Sequence, residues 1–151
     1  RQGDIENMPV NDSIADVIVS NCVLNLVPNK DAVIKEIYRV LKPGGHFSIS
    51  DIVLEGELPV ELKEAAEMYA GCIAGAIQKE IYLDLIVANG FKNLVVQKDK
   101  PIIIPDDILK NYLSAEQIAA FFASGNAIRS ITVYAEKSLE KVECCGAGCC
   151  N

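Results

Sequence analysis

The run Ala15-Asp16-Val17-Ile18-Val19-Ser20-Asn21-Cys22 constrains this chain more than any other stretch. Val17, Ile18 and Val19 are consecutive β-branched apolar residues without polar alternation. That pattern predicts a strand buried on both faces, as in a parallel sheet covered by helices. Ser20-Asn21 then opens a turn and offers a helix cap. Ligands of open α/β sheets sit outside the carboxyl ends of the strands, so Cys22 stands where chemistry is done. Its thiol reads in two ways, as a small buried apolar group or as a ligand, and this stretch alone leaves both open.

The flanking segments supply a second strand and several helices. Gly3-Asp4-Ile5-Glu6-Asn7-Met8-Pro9 has the look of a loop leaving a strand. In it, the Asp4 carboxylate can accept from an amino group, and a backbone amide near Ile5 can donate to a ring nitrogen. Asn29-Lys30-Asp31 starts a helix whose apolar residues, Ala32, Val33, Ile34, Ile37, Val40 and Leu41, recur at helical spacing, with Lys35, Glu36 and Arg39 expected on the wet side. Leu41-Lys42-Pro43-Gly44-Gly45 stops it, because proline cannot continue a helix and the glycines permit positive φ. His46 to Leu54 alternates and reads as a second strand. His46, the single histidine, lies at the start of that strand, away from the expected site, and is assigned a structural role.

Glu61 to Ala76 carries a helical pattern whose tail, Tyr69-Ala70-Gly71-Cys72-Ile73-Ala74-Gly75-Ala76, is crowded with small residues. Glycine inside a helix costs stability. Here it gives room for another backbone or a ligand beside Cys72. Gln78 to Asn89 is a further helix, with Ile81, Leu83, Leu85 and Ile86 apolar, and Asn93 to Lys98 a third strand. Asp106-Asp107 opens a short helix ending near Leu113. Ser114-Ala115-Glu116-Gln117 begins another, which Gly125 breaks, and Arg129 to Lys137 is the fourth strand.

Composition narrows the function classes. The 151 residues suffice for one domain with a core. A formal charge of −7 without a basic cluster argues against nucleic acid and anionic membranes as partners. No apolar run has the length of a membrane span, and the reading is of a cytoplasmic protein. Its six cysteines, at positions 22, 72, 144, 145, 149 and 150, are expected as reduced thiols or as metal-binding or catalytic groups.

Strand, polar turn, helix, Leu41-Lys42-Pro43-Gly44-Gly45 and strand together resemble the second half of the Rossmann-like class I methyltransferase fold. The resemblance implies an α/β fold with an irregular helical insertion, and S-adenosylmethionine as cosubstrate. It carries an adenine-contacting role to Asp4 and Ile5, and a cofactor-binding role to Asn21. Ser20-Asn21-Cys22-Val23-Leu24-Asn25-Leu26, Gly45-His46-Phe47-Ser48-Ile49-Ser50-Asp51 and Glu67 to Ala76 are similar, more narrowly, to arsenite methyltransferases. That likeness runs from Gly3 to about Lys137. It implies that Cys22 and Cys72 bind trivalent arsenic and carry the catalysis, that arsenite or its thiol conjugates are the substrate, and that a thiol reductant such as thioredoxin or glutathione is a partner. The chemistry agrees: a soft centre selects thiolates over oxygen ligands, and a transfer governed by positioning needs no strong general base.

The family's glycine-rich cofactor loop and its ribose-binding acidic residue have no counterpart here. The expectation is therefore a partial methyltransferase domain over residues 1–137, the carboxyl-terminal part of such an enzyme, inactive or nearly so alone and exposing a sheet edge and an apolar face. Residues 138–151 are expected as a flexible tail, whose Cys144, Cys145, Cys149 and Cys150 either collect arsenite or exchange disulfides, or bind metals adventitiously. Two other readings stay open. One is a class I methyltransferase for a small organic acceptor, and the other is a thiol-based arsenite-binding module without catalysis.

Overall fold

The computed structural model describes residues 2–57, 60, 73 and 75–139. Cys72, most of the helix expected over 61–76, and the cysteine-rich tail lie outside the described residues. The elements are β1 (Ala15–Asn21), a single 3-10 turn (Leu24–Leu26), α1 (Lys30–Val40), β2 (Leu41–Glu55), α2 (Lys79–Ala88), β3 (Phe91–Pro101), α3 (Asp106–Leu109), α4 (Ala115–Ser124) and β4 (Ala127–Lys137).

The described strands form one sheet in the order β1-β2-β4-β3. β1 runs parallel to β2, in a register that sets Ile18 against Phe47 and Asn21 against Ser50. β4 is inserted antiparallel between β2 and β3. The sheet is therefore mixed, where the β-branched run predicted a parallel one. The α1 crossover gives β1 and β2 their common direction, as parallel neighbours require.

Local signals account for the helices. The side chain of Asn29 accepts from the Ala32 amide and caps α1. At the other end, Lys137 Nζ donates to the carbonyls of Tyr38 and Leu41, each at 2.7 Å, placing a cation where the helix dipole is negative. The chain passes from α1 directly into β2 at Leu41, earlier than the expected start at His46, and Gly44 takes φ +79 within the strand. Ser114 and Gln117 form a reciprocal capping box at the start of α4, and Gly125 ends that helix in the left-handed region, as expected.

The main core lies between the sheet and the pair α1 and α2. Phe47, Ile49 and Val53 of β2 meet Ile131, Val133 and Ala135 of β4, with Val33, Ile34 and Ile37 from α1 and Ile86 from α2. Phe47 and Phe91 pack edge to face with ring centroids 4.8 Å apart. A smaller apolar cluster gathers on the opposite face, from Ile52, Leu54, Ile73, Ile104, Leu109, Leu113 and Ile128.

Three expectations are corrected. β1 is not buried on both faces: Ile18 packs on the core, but Val17 and Val19 are 50% and 75% exposed. β1 is an edge strand in this sheet, and among the described residues nothing covers the face to which Val17 and Val19 point. Glu36 is not on the wet side of α1 but 8% exposed, roofed by the segment preceding β1 and held by Arg39. Finally, the helical pattern expected through Ala76 does not extend to its end. Gly75 lies in a turn, with the Ala76 amide donating to the Ile73 carbonyl at 3.0 Å. In α2, Tyr82 and Ile86 face the core and Ile81 is exposed, because the packed stripe is set by contact with β2 rather than by hydropathy alone.

Candidate functional site

The segment Asp4 to Asp12 is laid along α1 from its first turn to its last. The carboxylate of Glu6 accepts from the Asn29 amide at 3.1 Å. Glu36 accepts from the Met8 amide at 2.7 Å. Arg39 donates to the carbonyls of Val10 and Met8 and pairs with both Asp12 and Glu36. Side-chain hydrogen bonds donated to these two acids hold the guanidinium firmly protonated, and the Arg39 partner holds the Glu36 carboxyl below its ordinary range. The polarity of this track fixes the placement. Glu6 meets the start of α1, and α1 starts just after the carboxyl end of β1. Asp4 and Ile5 are therefore at the same end of the sheet as Asn21 and Cys22.

Asp4 is exposed, and its Oδ1 accepts from the Glu6 amide at 2.9 Å, which orients the carboxylate. Beside it opens a cleft of about 610 Å³ lined mainly by Ile5, Met8, Pro9, Val10 and Ile14. Asn21 is exposed at the last position of β1.

Cys22 follows with φ +54, in the left-handed region that a non-glycine residue seldom occupies. Its amide donates to the Ser50 carbonyl at 2.8 Å, which extends the β1–β2 ladder by one residue. The side chain is half-buried and packs against the smaller apolar cluster. Ile73, fully buried, belongs to that cluster. The residue that directly follows Cys72 in sequence is thus brought to the same cluster as Cys22.

A polar group that the sequence reading missed lies beneath this end of the sheet. Asp51 is 1% exposed, and its Oδ2 accepts from the Tyr82 hydroxyl at 2.8 Å. Burial pushes its carboxyl up to about 6, against the pull of that hydrogen bond and of the Lys30 charge. The same burial, with the Asp51 charge, drives the Tyr82 hydroxyl up and so keeps it protonated as a donor. Lys30, itself buried, is shifted downward by desolvation. Asn25 is buried alongside, donating through Nδ2 to the Ile52 carbonyl at 2.9 Å. Among the described residues, Ser20 Oγ, Asn25 Oδ1 and Asp51 Oδ1 are buried without a hydrogen-bond partner. Asp51 was detectable in principle. It shares the phase of Phe47, Ile49 and Val53, so an alternating strand already placed a carboxylate on the core face.

His46 lies at the far end of β2, its ring 5.1 Å from that of Tyr134, in keeping with a structural role. Among the described residues no group of three or more His, Cys, Asp or Glu could hold a metal ion. No helix there is long and apolar enough to cross a membrane.

Comparison with known proteins fits this layout. The chain is 39% identical over 110 residues to an arsenite methyltransferase of Aquipseudomonas alcaligenes, a match covering 73% of this chain and 32% of that protein. It is 37% identical over 101 residues to one of Halobacterium salinarum, covering 66% and 26%. It therefore spans about a third or less of the length of these curated relatives. Among solved structures, an arsenic (III) S-adenosylmethionine methyltransferase from Chlamydomonas reinhardtii superposes with a TM-score of 0.72 at 31% identity, over 94% of this chain and 45% of the other. The family model described as a methyltransferase domain matches residues 1–90, more than half of the sequence. The chain accordingly belongs to the class I S-adenosylmethionine-dependent methyltransferases.

Proposed function

We propose that this chain serves methyl transfer from S-adenosylmethionine to trivalent arsenic held by the thiolates of Cys22 and Cys72. The observation that carries this reading is the common cluster. Cys22 directly follows β1 in a constrained backbone conformation and packs where Ile73, the neighbour of Cys72 in sequence, is fully buried. The similarity to arsenite methyltransferases supports it from a separate direction.

The residues present suit the cosubstrate. Asp4 presents an oriented, exposed carboxylate that can accept from an exocyclic amino group, and the mostly apolar cleft beside it suits a flat ring. Asn21 adds an exposed amide at the end of β1. When bound, S-adenosylmethionine supplies an electrophilic methyl carbon. The chain's own contribution is to hold the arsenic through sulfur and fix its direction of approach. Soft thiolate ligands discriminate for such a centre, and its binding displaces the thiol protons.

The test is titration of the reduced chain with arsenite, with serine at the four tail cysteines to isolate the core. Binding that is lost in both Cys22→Ser and Cys72→Ser is the expected result. Unchanged binding in either variant would reduce the pair to packing residues, and the acceptor would have to be sought elsewhere.

A further inference from the structure

Side chains alternate along a strand, and β2 sends Phe47, Ile49 and Val53 into the main core and Ile52 and Leu54 into the smaller cluster. Ser50 has the phase of Ile52. Its register partners are Asn21 on β1 and Thr132 on β4, and partners in register share a face. Asn21, Ser50 and Thr132 therefore form one row across the sheet. Ile52 and Ser130 form the next row towards the carboxyl end of β2. Cys22 directly follows Asn21, and its amide donates to the Ser50 carbonyl at 2.8 Å. Its side chain packs on the cluster that contains Ile52. The row of hydroxyls thus borders the thiol.

Ser50 Oγ and Thr132 Oγ1 are 2.8 Å apart, on two half-buried residues. Each hydroxyl has a single proton. Their mutual bond uses one, so whichever of them donates, the other keeps its proton for a further acceptor. Beyond them on this face, Ile52, Leu54 and Ile128 are apolar and buried. A donor oriented at such a border acts in a lower local dielectric than water provides, where its hydrogen bond is stronger.

Arsenous acid exchanges one hydroxyl for each thiol that binds it. An arsenic–sulfur bond forms, an arsenic–oxygen bond breaks, and the thiol proton leaves in the released water, with no change of oxidation state. Arsenic held by fewer than three sulfurs therefore keeps a hydroxyl. Resting on the reading of Cys22 as an arsenic ligand, we infer that the Ser50–Thr132 pair is a specificity contact, which donates to a hydroxyl oxygen that arsenic keeps while bound at Cys22. The site then favours oxygen-bearing arsenic over arsenic whose hydroxyls have all been replaced by carbon or sulfur.

The experiment uses the full reduced chain with serine at Cys144, Cys145, Cys149 and Cys150, and the same chain carrying Ser50→Ala with Thr132→Val. Replacing both partners of a hydrogen bond by apolar groups of similar shape is close to neutral for a fold, and urea unfolding checks it. Two probes are compared. Arsenite keeps a hydroxyl when bound. Dimethylarsinous acid exchanges its only hydroxyl for the Cys22 sulfur and keeps none. Binding of each is read as protection of Cys22 from iodoacetamide, located by peptide mass. Arsenite affinity should fall about fivefold in the double variant, the scale of one hydrogen bond, while dimethylarsinous acid keeps its parental affinity. Thr132→Val alone carries the same test if the double variant does not fold, and Thr132→Ser, which retains the hydroxyl, should bind arsenite as the parent does. Parental arsenite affinity in the folded double variant, or an equal fall with both probes, overturns the contact and leaves the assignment of Cys22 intact. Failure of arsenite to protect Cys22 in the parent overturns that assignment and the contact with it.

Discussion

The two faces of the sheet are finished differently. On one, Phe47, Ile49, Val53, Ile131, Val133 and Ala135 form a continuous apolar layer under α1 and α2. On the other, the middle of β2 and β4 presents Ser48, Ser50, Ser130 and Thr132, with the Ser50 and Thr132 hydroxyls 2.8 Å apart. Apolar packing resumes there only towards the carboxyl end of β2, in the cluster that takes in Cys22. The first face is built to specify and hold a fold. The second gathers its apolar surface in one smaller cluster, with Cys22 at its margin. Asp51 is the exception that joins them, a carboxylate set in the apolar layer directly beneath the functional end.

The largest effect expected is at the centre of the first face. Phe47→Ala should cost about 3–5 kcal/mol, the range for truncating a buried phenylalanine, because the ring is fully buried and packed edge to face with Phe91. Urea denaturation measures it. A loss under 1 kcal/mol would break the distinction between a load-carrying face and a functional one.

Asp51→Asn probes the point where the two faces join. The Asp51 carboxyl is raised from 3.8 to about 6, so the folded state binds its proton more tightly than the unfolded chain does. Its stabilising contribution is complete below about pH 4 and is lost as pH rises through 6. The parent should therefore lose up to about 3 kcal/mol relative to Asp51→Asn between pH 4 and pH 7. Unfolding free energies of the two proteins across that window give the difference directly. Parallel curves would mean that the carboxyl is already solvated and that the apolar layer has no charged member.

Arg39→Ala touches neither face and should have the smallest effect on global stability. It removes the donors to the Met8 and Val10 carbonyls and the partner of Glu36, so the segment Asp4 to Asp12 should come away from α1. Amide hydrogen exchange at Met8 should accelerate while amides of β2 and β4 keep their protection. Uniform acceleration throughout would show that this track unfolds with the main core and is not a separate attachment.

Much of the fold was legible because its signals are local. Asn29 caps α1, Ser114 and Gln117 start α4, and Gly125 stops it. Each of these acts within about four residues, over which backbone sterics and side-chain hydrogen bonds operate irrespective of the rest of the chain. Cys22 could be placed at a strand end for the same reason. Burial of Val17 and Val19 could not be read, since an apolar strand becomes interior only if a neighbour covers it. Glu36 was misplaced because its partners, Met8 and Arg39, include one that is 28 residues away in sequence.

By itself the sequence determined the order of most strands and helices and several of their caps, that a thiol follows the first strand, and that glycines crowd the second. Capping, proline geometry and β-branching are properties of neighbours along the chain, and they need no fold to act. Only the tertiary structure decided that β4 inserts between β2 and β3, that Asp51 is dehydrated against Tyr82, and that Gly75 is required by the carbonyl of Asn25. These depend on groups far apart in sequence excluding water and occupying space together, and no periodicity in either segment records the identity of the other.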